Sequence, residues 1–139
     1  MNLHVIAMYH NAESRFFPYE DGHRLRQVIS HWRHWPTGTD PYEIADWAWH
    51  VFNADLDMLE SGRGTRQGEA DFLIASVYRL MRHRSLSTGD VLAITTDGIT
   101  TWLACESIGW RQITTPANPT GTPLTAEAVY RRTRGSGDE

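Results

Sequence analysis

At 139 residues, with 40% apolar, 11% aromatic and 22% charged side chains, the sequence has the makeup of one globular domain, able to bury about two-thirds of its unfolded surface without a disulfide or structural metal. Composition excludes collagen, a coiled coil and wholesale disorder, no window offers the roughly 18 apolar residues of a membrane span, and residues 1–10 lack the basic and apolar regions of a signal peptide. The net charge of −4 argues against a general nucleic-acid binder, and the single cysteine, Cys105, fits the expectation of a soluble cytoplasmic protein.

In residues 2–10, Leu3, Val5, Ala7 and Tyr9 alternate with His4, Ile6 and Met8, which predicts a strand at least partly covered on both faces. The pattern breaks over 11–17, and Pro18 with Glu20, Asp21 and Gly22 marks a turn. Leu25, Val28 and Ile29 lead into His31, Trp32, Arg33, His34 and Trp35, a stretch that reads equally as strand or short helix. Asp40, Pro41 and Glu43 then supply a cap, a first-turn proline and a third-position acid. A helix starts there, with Ile44, Trp47, Ala48, Val51 and Phe52 as its buried face and Asn53 as its stop. Residues 55–60 add a turn, and 61–68, with Gly62, Arg63, Gly64 and Arg66, read as an exposed, mobile loop. A second helix fits 69–81, its inner face expected at Phe72, Leu73, Ser76, Val77 and Leu80.

After Arg82 the period shortens from helix to strand. Ser87, Thr88, Gly89 and Asp90 have turn chemistry, residues 91–95 alternate, and Asp97 with Gly98 signals a two-residue hairpin whose partner is 99–107. Gly109 marks a bend before Trp110 and a short run to Ile113. Residues 114–125 read as a Pro- and Thr-rich linker, followed by a short helix from Thr125 to Arg132 and a disordered tail over 135–139. The expected fold class is α+β: one domain over 1–113, in which a small antiparallel sheet with a C-terminal β-hairpin is covered by two central helices, and an appended segment over 114–139.

Tyr78 and Arg79, the run Arg84, Ser85, Leu86, Ser87, Thr88, Gly89, Asp90, Val91, the turn at Asp97 and Gly98, and the run from Trp102 through Cys105 to Gly109 and Trp110 together form a pattern. It resembles proteins of high-GC bacteria and their mobile elements and, more distantly, the YodL-like domain of large polyvalent proteins of phages and plasmids. These share an RSLSxGDVV core, a short hairpin and a closing GW or GF, and the helix at 46–53 is similar to theirs. The likeness spans 46–113, with 55–68 divergent. It implies a fold and a genetic setting, and it carries no catalytic role. The residues also have structural reasons to recur: Ser85 and Ser87 can bond local backbone, Gly89 allows a turn closed to other residues, and Asp90 can brace it.

Arg79, Arg82 and Arg84, beside His83 and near Trp102 and Trp110, form the candidate binding face, since guanidinium groups contact phosphates and stack on rings. A solvated helix end, where cations favour the negative pole of the dipole, accounts for the same arginines. His31 and His34 would join His50 or His83 around a metal only if their segment were helical; on a strand they part, and packing is their expected role. Cys105 beside a histidine would be a nucleophile, but between Ala104 and Glu106 on an apolar strand it reads as a small buried hydrophobe. Neither Gly62, Arg63, Gly64 nor Gly89, Asp90 has the run of a nucleotide cradle. The carboxylates Asp40, Glu43, Asp46, Asp55, Asp57 and Glu60 suit a solvated helix face, with mimicry of a nucleic-acid backbone as the sharper alternative. The expected function is a non-catalytic binding or accessory module of a phage or plasmid, with no cofactor and no membrane, recognising a host or mobile-element protein ahead of nucleic acid. A small metal- or cysteine-dependent enzyme is the competing class, and a homo-oligomer anchored by some of the six tryptophans is a third.

Overall fold

Alternation in Asn2–Asn11 (β1) turns His4, Ile6, Met8 and His10 to one side, and Leu25–Trp35 (β2) runs back beside it, in a computed structural model that describes residues 2–14 and 16–121. Met8 pairs with Ile29 and Tyr9 with Gln27, so Val28 is the extra residue of a bulge. The bulge lets Val28 and Ile29, neighbours in sequence, both enter the helix-covered core. It is also why this segment reads as strand or helix alike: two adjacent buried residues break a strand's alternation.

Pro41–Asn53 (α1) begins at Asp40, whose carboxylate accepts from the Tyr42 N–H at 2.8 Å. Leu56–Glu60 (α2) is capped by Asp55, and Arg66–Leu80 (α3) by Thr65. Part of the loop expected at 61–68 is therefore helix. The Thr65 hydroxyl accepts from the Gly68 N–H at 2.9 Å, and position 68 requires glycine because a Cβ there would lie 1.7 Å from the Gly62 carbonyl oxygen. The inner face of α3 also differs from expectation. Ile74, Ala75, Val77 and Tyr78 are buried, whereas Leu73 and Leu80 are 46% and 65% exposed. Two polar residues set that phase: Asp71 and Tyr78 stand on the same side as Ile74 and Ala75, and both have partners on the sheet. A count of apolar spacing gives no weight to either.

Val91–Thr96 (β3) and Ile99–Cys105 (β4) turn through Asp97 and Gly98 at φ 52° and 78°. Trp110–Ile113 (β5) pairs beyond β4, and Pro119–Thr120 (β6) beside β2, giving the order β5-β4-β3-β1-β2-β6. Every pairing is antiparallel except β2 with β6. The protein is thus α+β, but among the described residues its sheet has six strands and is mixed, larger than the small antiparallel sheet expected, and the hairpin lies inside it instead of closing it. β6 belongs to the stretch expected as a linker: Leu25 donates its N–H to the Asn118 carbonyl at 3.0 Å and thereby draws the chain to the edge. The helix expected at 125–132 and the tail after it lie outside the described residues.

The helices cover one face of the sheet. Ile6, Met8, Ile44, Ile74, Leu92 and Leu103 meet there at no more than 2% exposure, and burial of each such side chain contributes about 1.5–3 kcal/mol. The other face has a smaller cluster of Tyr9, Leu25, Val91, Ala93 and Ala104, closed by Tyr19. Among the described residues no helix is long and apolar enough to cross a membrane.

Candidate functional site

The loop after α3 returns to the sheet around one carboxylate. Asp90 is fully buried and accepts four hydrogen bonds: from the Asn11 N–H at 2.9 Å, the Ser87 N–H at 2.8 Å, and both terminal nitrogens of Arg84 at 2.7 Å. Such forked, charge-assisted pairing fixes Arg84 in place and raises its already high pKa. Asn11 completes the joint: its side-chain oxygen accepts from the N–H groups of Glu13 and Ser14, and its amide donates to the Gly89 carbonyl. Gly89, at φ 96°, is confined to glycine, since a Cβ would lie 2.4 Å from the Phe17 carbonyl oxygen.

Beside this joint, His10 at the end of β1 meets Tyr78 of α3, its Nε2 2.9 Å from the phenol oxygen. Tyr78 gives its own hydrogen to the Arg84 carbonyl, so His10 must be the donor and carries its proton on Nε2. Burial first, and then the charges of Arg84, His83 and Arg26, bring the His10 pKa down to about 4 against the pull of Asp90. His83 is shifted the same way, by burial and then by Arg26. Both imidazoles are therefore neutral at physiological pH.

These groups line a cleft of about 450 Å³ whose walls include His10, Asn11, Arg26, Arg82, His83 and Arg84. His83 also borders a second hollow of about 240 Å³, shared with Phe52, Asn53, Tyr78, Arg79 and Ser85. Among the described residues the guanidinium groups of Arg26 and Arg82 have no hydrogen-bond or ion-pair partner. Arg82 sits at φ 60°, the left-handed position just past a helix end that glycine normally takes. Holding a side chain there costs about 1–2 kcal/mol, and a residue kept at that expense is a pointer to a role.

The five residues expected to form the binding face are thereby divided. Arg82 and Arg84 share the larger cleft, and Arg79 lines the hollow on the far side of His83, donating to the Ala54 carbonyl. Trp110 faces the helices, its indole N–H 3.2 Å from Asp46, whereas Trp102 stands on the opposite face of the sheet against Tyr9. Neither tryptophan lines the cleft. His10 and Arg26 do, and neither was singled out from the sequence. They are direct cross-strand partners in the β1–β2 register, a neighbourhood that exists only once the strands pair.

A second polar cluster lies deeper, under α1 and α3. Arg33 donates to Asp71 at 2.6 Å and Gln67 at 3.0 Å, and its guanidinium lies 4.7 Å from the Trp47 ring centre and 5.3 Å from that of Trp35. His31 stacks on Trp47 and accepts from Arg33, with its pKa lowered to about 4 by burial and by the Arg33 charge. His34, on the same strand, is exposed on the other face, and His50 is exposed on α1, so the three do not converge. Among the described residues no three His, Cys, Asp or Glu side chains are grouped to hold a metal. Cys105 is 2% exposed, and burial pushes its thiol up to about 12, so it is protonated at neutral pH.

No family model, curated protein or solved structure matches this chain.

Proposed function

We propose that this chain is a non-catalytic binding module of a mobile genetic element, akin to the YodL-like domain, that recognises a protein partner in the cytoplasm through the arginine-lined cleft. One observation carries the reading: among the described residues Arg26 and Arg82 have no side-chain partner at an open cleft whose third arginine is locked to a buried aspartate. A cleft wall built rigidly around Asp90 with free charges at its rim suits recognition. The net charge of −4 and the carboxylates of α1 and α2 disfavour a long polyanion and favour one local anionic feature on a protein.

The test is affinity capture from a host lysate with nuclease present, using the native chain, a double variant Arg26→Glu, Arg82→Glu, and Arg63→Glu as a control on an arginine that pairs elsewhere with Glu69. A stoichiometric protein retained by the native chain and by the control, and lost by the double variant, is expected. Equal retention by all three, or capture that is seen only when nuclease is omitted and then consists of nucleic acid, overturns the reading. Arg84 is left intact in this test because its removal would strand Asp90.

A further inference from the structure

We infer that the cleft between the ends of β1 and β2 and the loop after α3 binds a phosphate monoester as its dianion. The inference rests on the reading of this cleft as the recognition site and names the group that enters it. Among the described residues three arginines line the cleft and no carboxylate does. Asp90 neutralises Arg84 from behind, at zero exposure, so the space is left with the charges of Arg26 and Arg82. Glu13, which follows the cleft-lining Ala12, spends a carboxylate oxygen on the Arg24 N–H at 2.6 Å. Two uncompensated guanidinium groups match a dianion, and each presents a fork of donors suited to phosphate oxygens. A carboxylate or an internal phosphodiester brings a single negative charge and would leave one arginine unmatched.

Size and walls agree. The cleft, at about 450 Å³, is far larger than a bare oxyanion and leaves room for the body of an ester against the rings of His10 and His83. The neutral imidazoles add no charge to the balance. Arg82 is held in a left-handed conformation that a glycine would adopt freely, which aims its backbone and side chain from the end of α3 into this space.

The full chain is titrated with a phosphoserine peptide, its unphosphorylated form, a nucleoside 5′-monophosphate, sulfate and acetate, by calorimetry and by the arginine side-chain resonances. Saturable binding of at least one monoester, and of sulfate, is expected, with neither acetate nor the unmodified peptide binding. Arg26→Gln and Arg82→Gln should each weaken monoester binding about tenfold without changing the melting temperature, and Arg63→Gln should leave it unchanged. Monoester affinity should rise as pH passes the second phosphate ionisation near about 6, while sulfate affinity stays flatter. The groups around the cleft are His10 on β1, His23 bonded to Asn11, Arg26 on β2, Tyr78 on α3, and Arg82, His83, Arg84 and Asp90 in the loop. A titration of any of them would move both ligands alike, so the difference between the two profiles belongs to the ligand. Preference for the peptide identifies a phosphorylated protein as the source, and preference for the nucleotide a small molecule; either upholds the dianion. Competition by acetate, identical pH profiles, or undiminished binding in both glutamine variants overturns it. If no monoester binds while partner capture still depends on Arg26 and Arg82, the inference fails and the recognition site stands. If monoesters bind and no partner is captured, the reverse holds.

Discussion

The Arg33–Asp71 pair under the helices and the Arg84–Asp90 pair beside the cleft have nearly equal contacts, 2.6 and 2.7 Å, but they hide opposite partners. In the first the arginine is the deeper member, its side chain 8% exposed against 22% for the aspartate; in the second the aspartate is at 0% and the arginine at 22%. A buried cation with an acid at its rim is closed by stacking on tryptophan and serves to hold α1 and α3 to the sheet. A buried acid with a cation at its rim does more: it assembles loop, strand and arginine, and leaves the positive side facing outward. The same ion pair, inverted, makes packing in one place and an outward-facing cation on a cleft wall in the other.

Acid is expected to test both clusters at once, with the largest effect. His10 and His31 each take a proton near pH 6.5 when unfolded and only near about 4 when folded, so between those values the unfolded state binds more protons and stability falls as pH falls. The slope should reach up to about 1.4 kcal/mol per pH unit for each histidine, read from urea unfolding at successive pH values. In His10→Gln, His31→Gln the dependence should flatten; an unchanged slope would mean that other groups carry it.

Asp90→Ala comes next. It strands the N–H groups of Asn11 and Ser87 and leaves Arg84 without its partner, a loss of about 3–5 kcal/mol in unfolding free energy. Asp71→Ala should cost about 3 kcal/mol, because it leaves the buried Arg33 without its counter-charge, and Arg33→Met should cost less, because Asp71 can rehydrate. That ordering is the sharpest check on which partner is hidden. The smallest effect has the opposite sign: Arg82→Gly should stabilise the fold by about 1 kcal/mol in thermal or urea unfolding while weakening whatever the cleft binds. A loss of stability there would show that Arg82 has a structural task instead.

Much of the framework was legible because it rests on local chemistry. Asp40 and Pro41 announced α1, the alternation of residues 2–10 announced β1, and Asp97 with Gly98 marked the turn between β3 and β4. What escaped depends on contacts between distant residues. The bulge at Val28 disguised β2, the polar anchors Asp71 and Tyr78 turned α3 away from its most apolar face, and two residues of an apparent linker became an edge strand. The cleft was half visible. Arg82 and Arg84 stood together in sequence, but His10 and Arg26 reach them only through the β1–β2 register, and Asp90, read as a local brace, also fastens Asn11.

That last bond has a consequence for how the chain is made. Asn11 and Asp90 lie 79 positions apart, and β1 from His4 to Tyr9 waits for partners in β3 that are more distant still. During synthesis the β1–β2 pair emerges before β3, carrying an unfilled row of backbone donors and acceptors through the translation of α1, α2 and α3. Folding is then governed by a late, long-range closure, which is slow for topological reasons. The nascent hairpin is the species that a chaperone would need to shield.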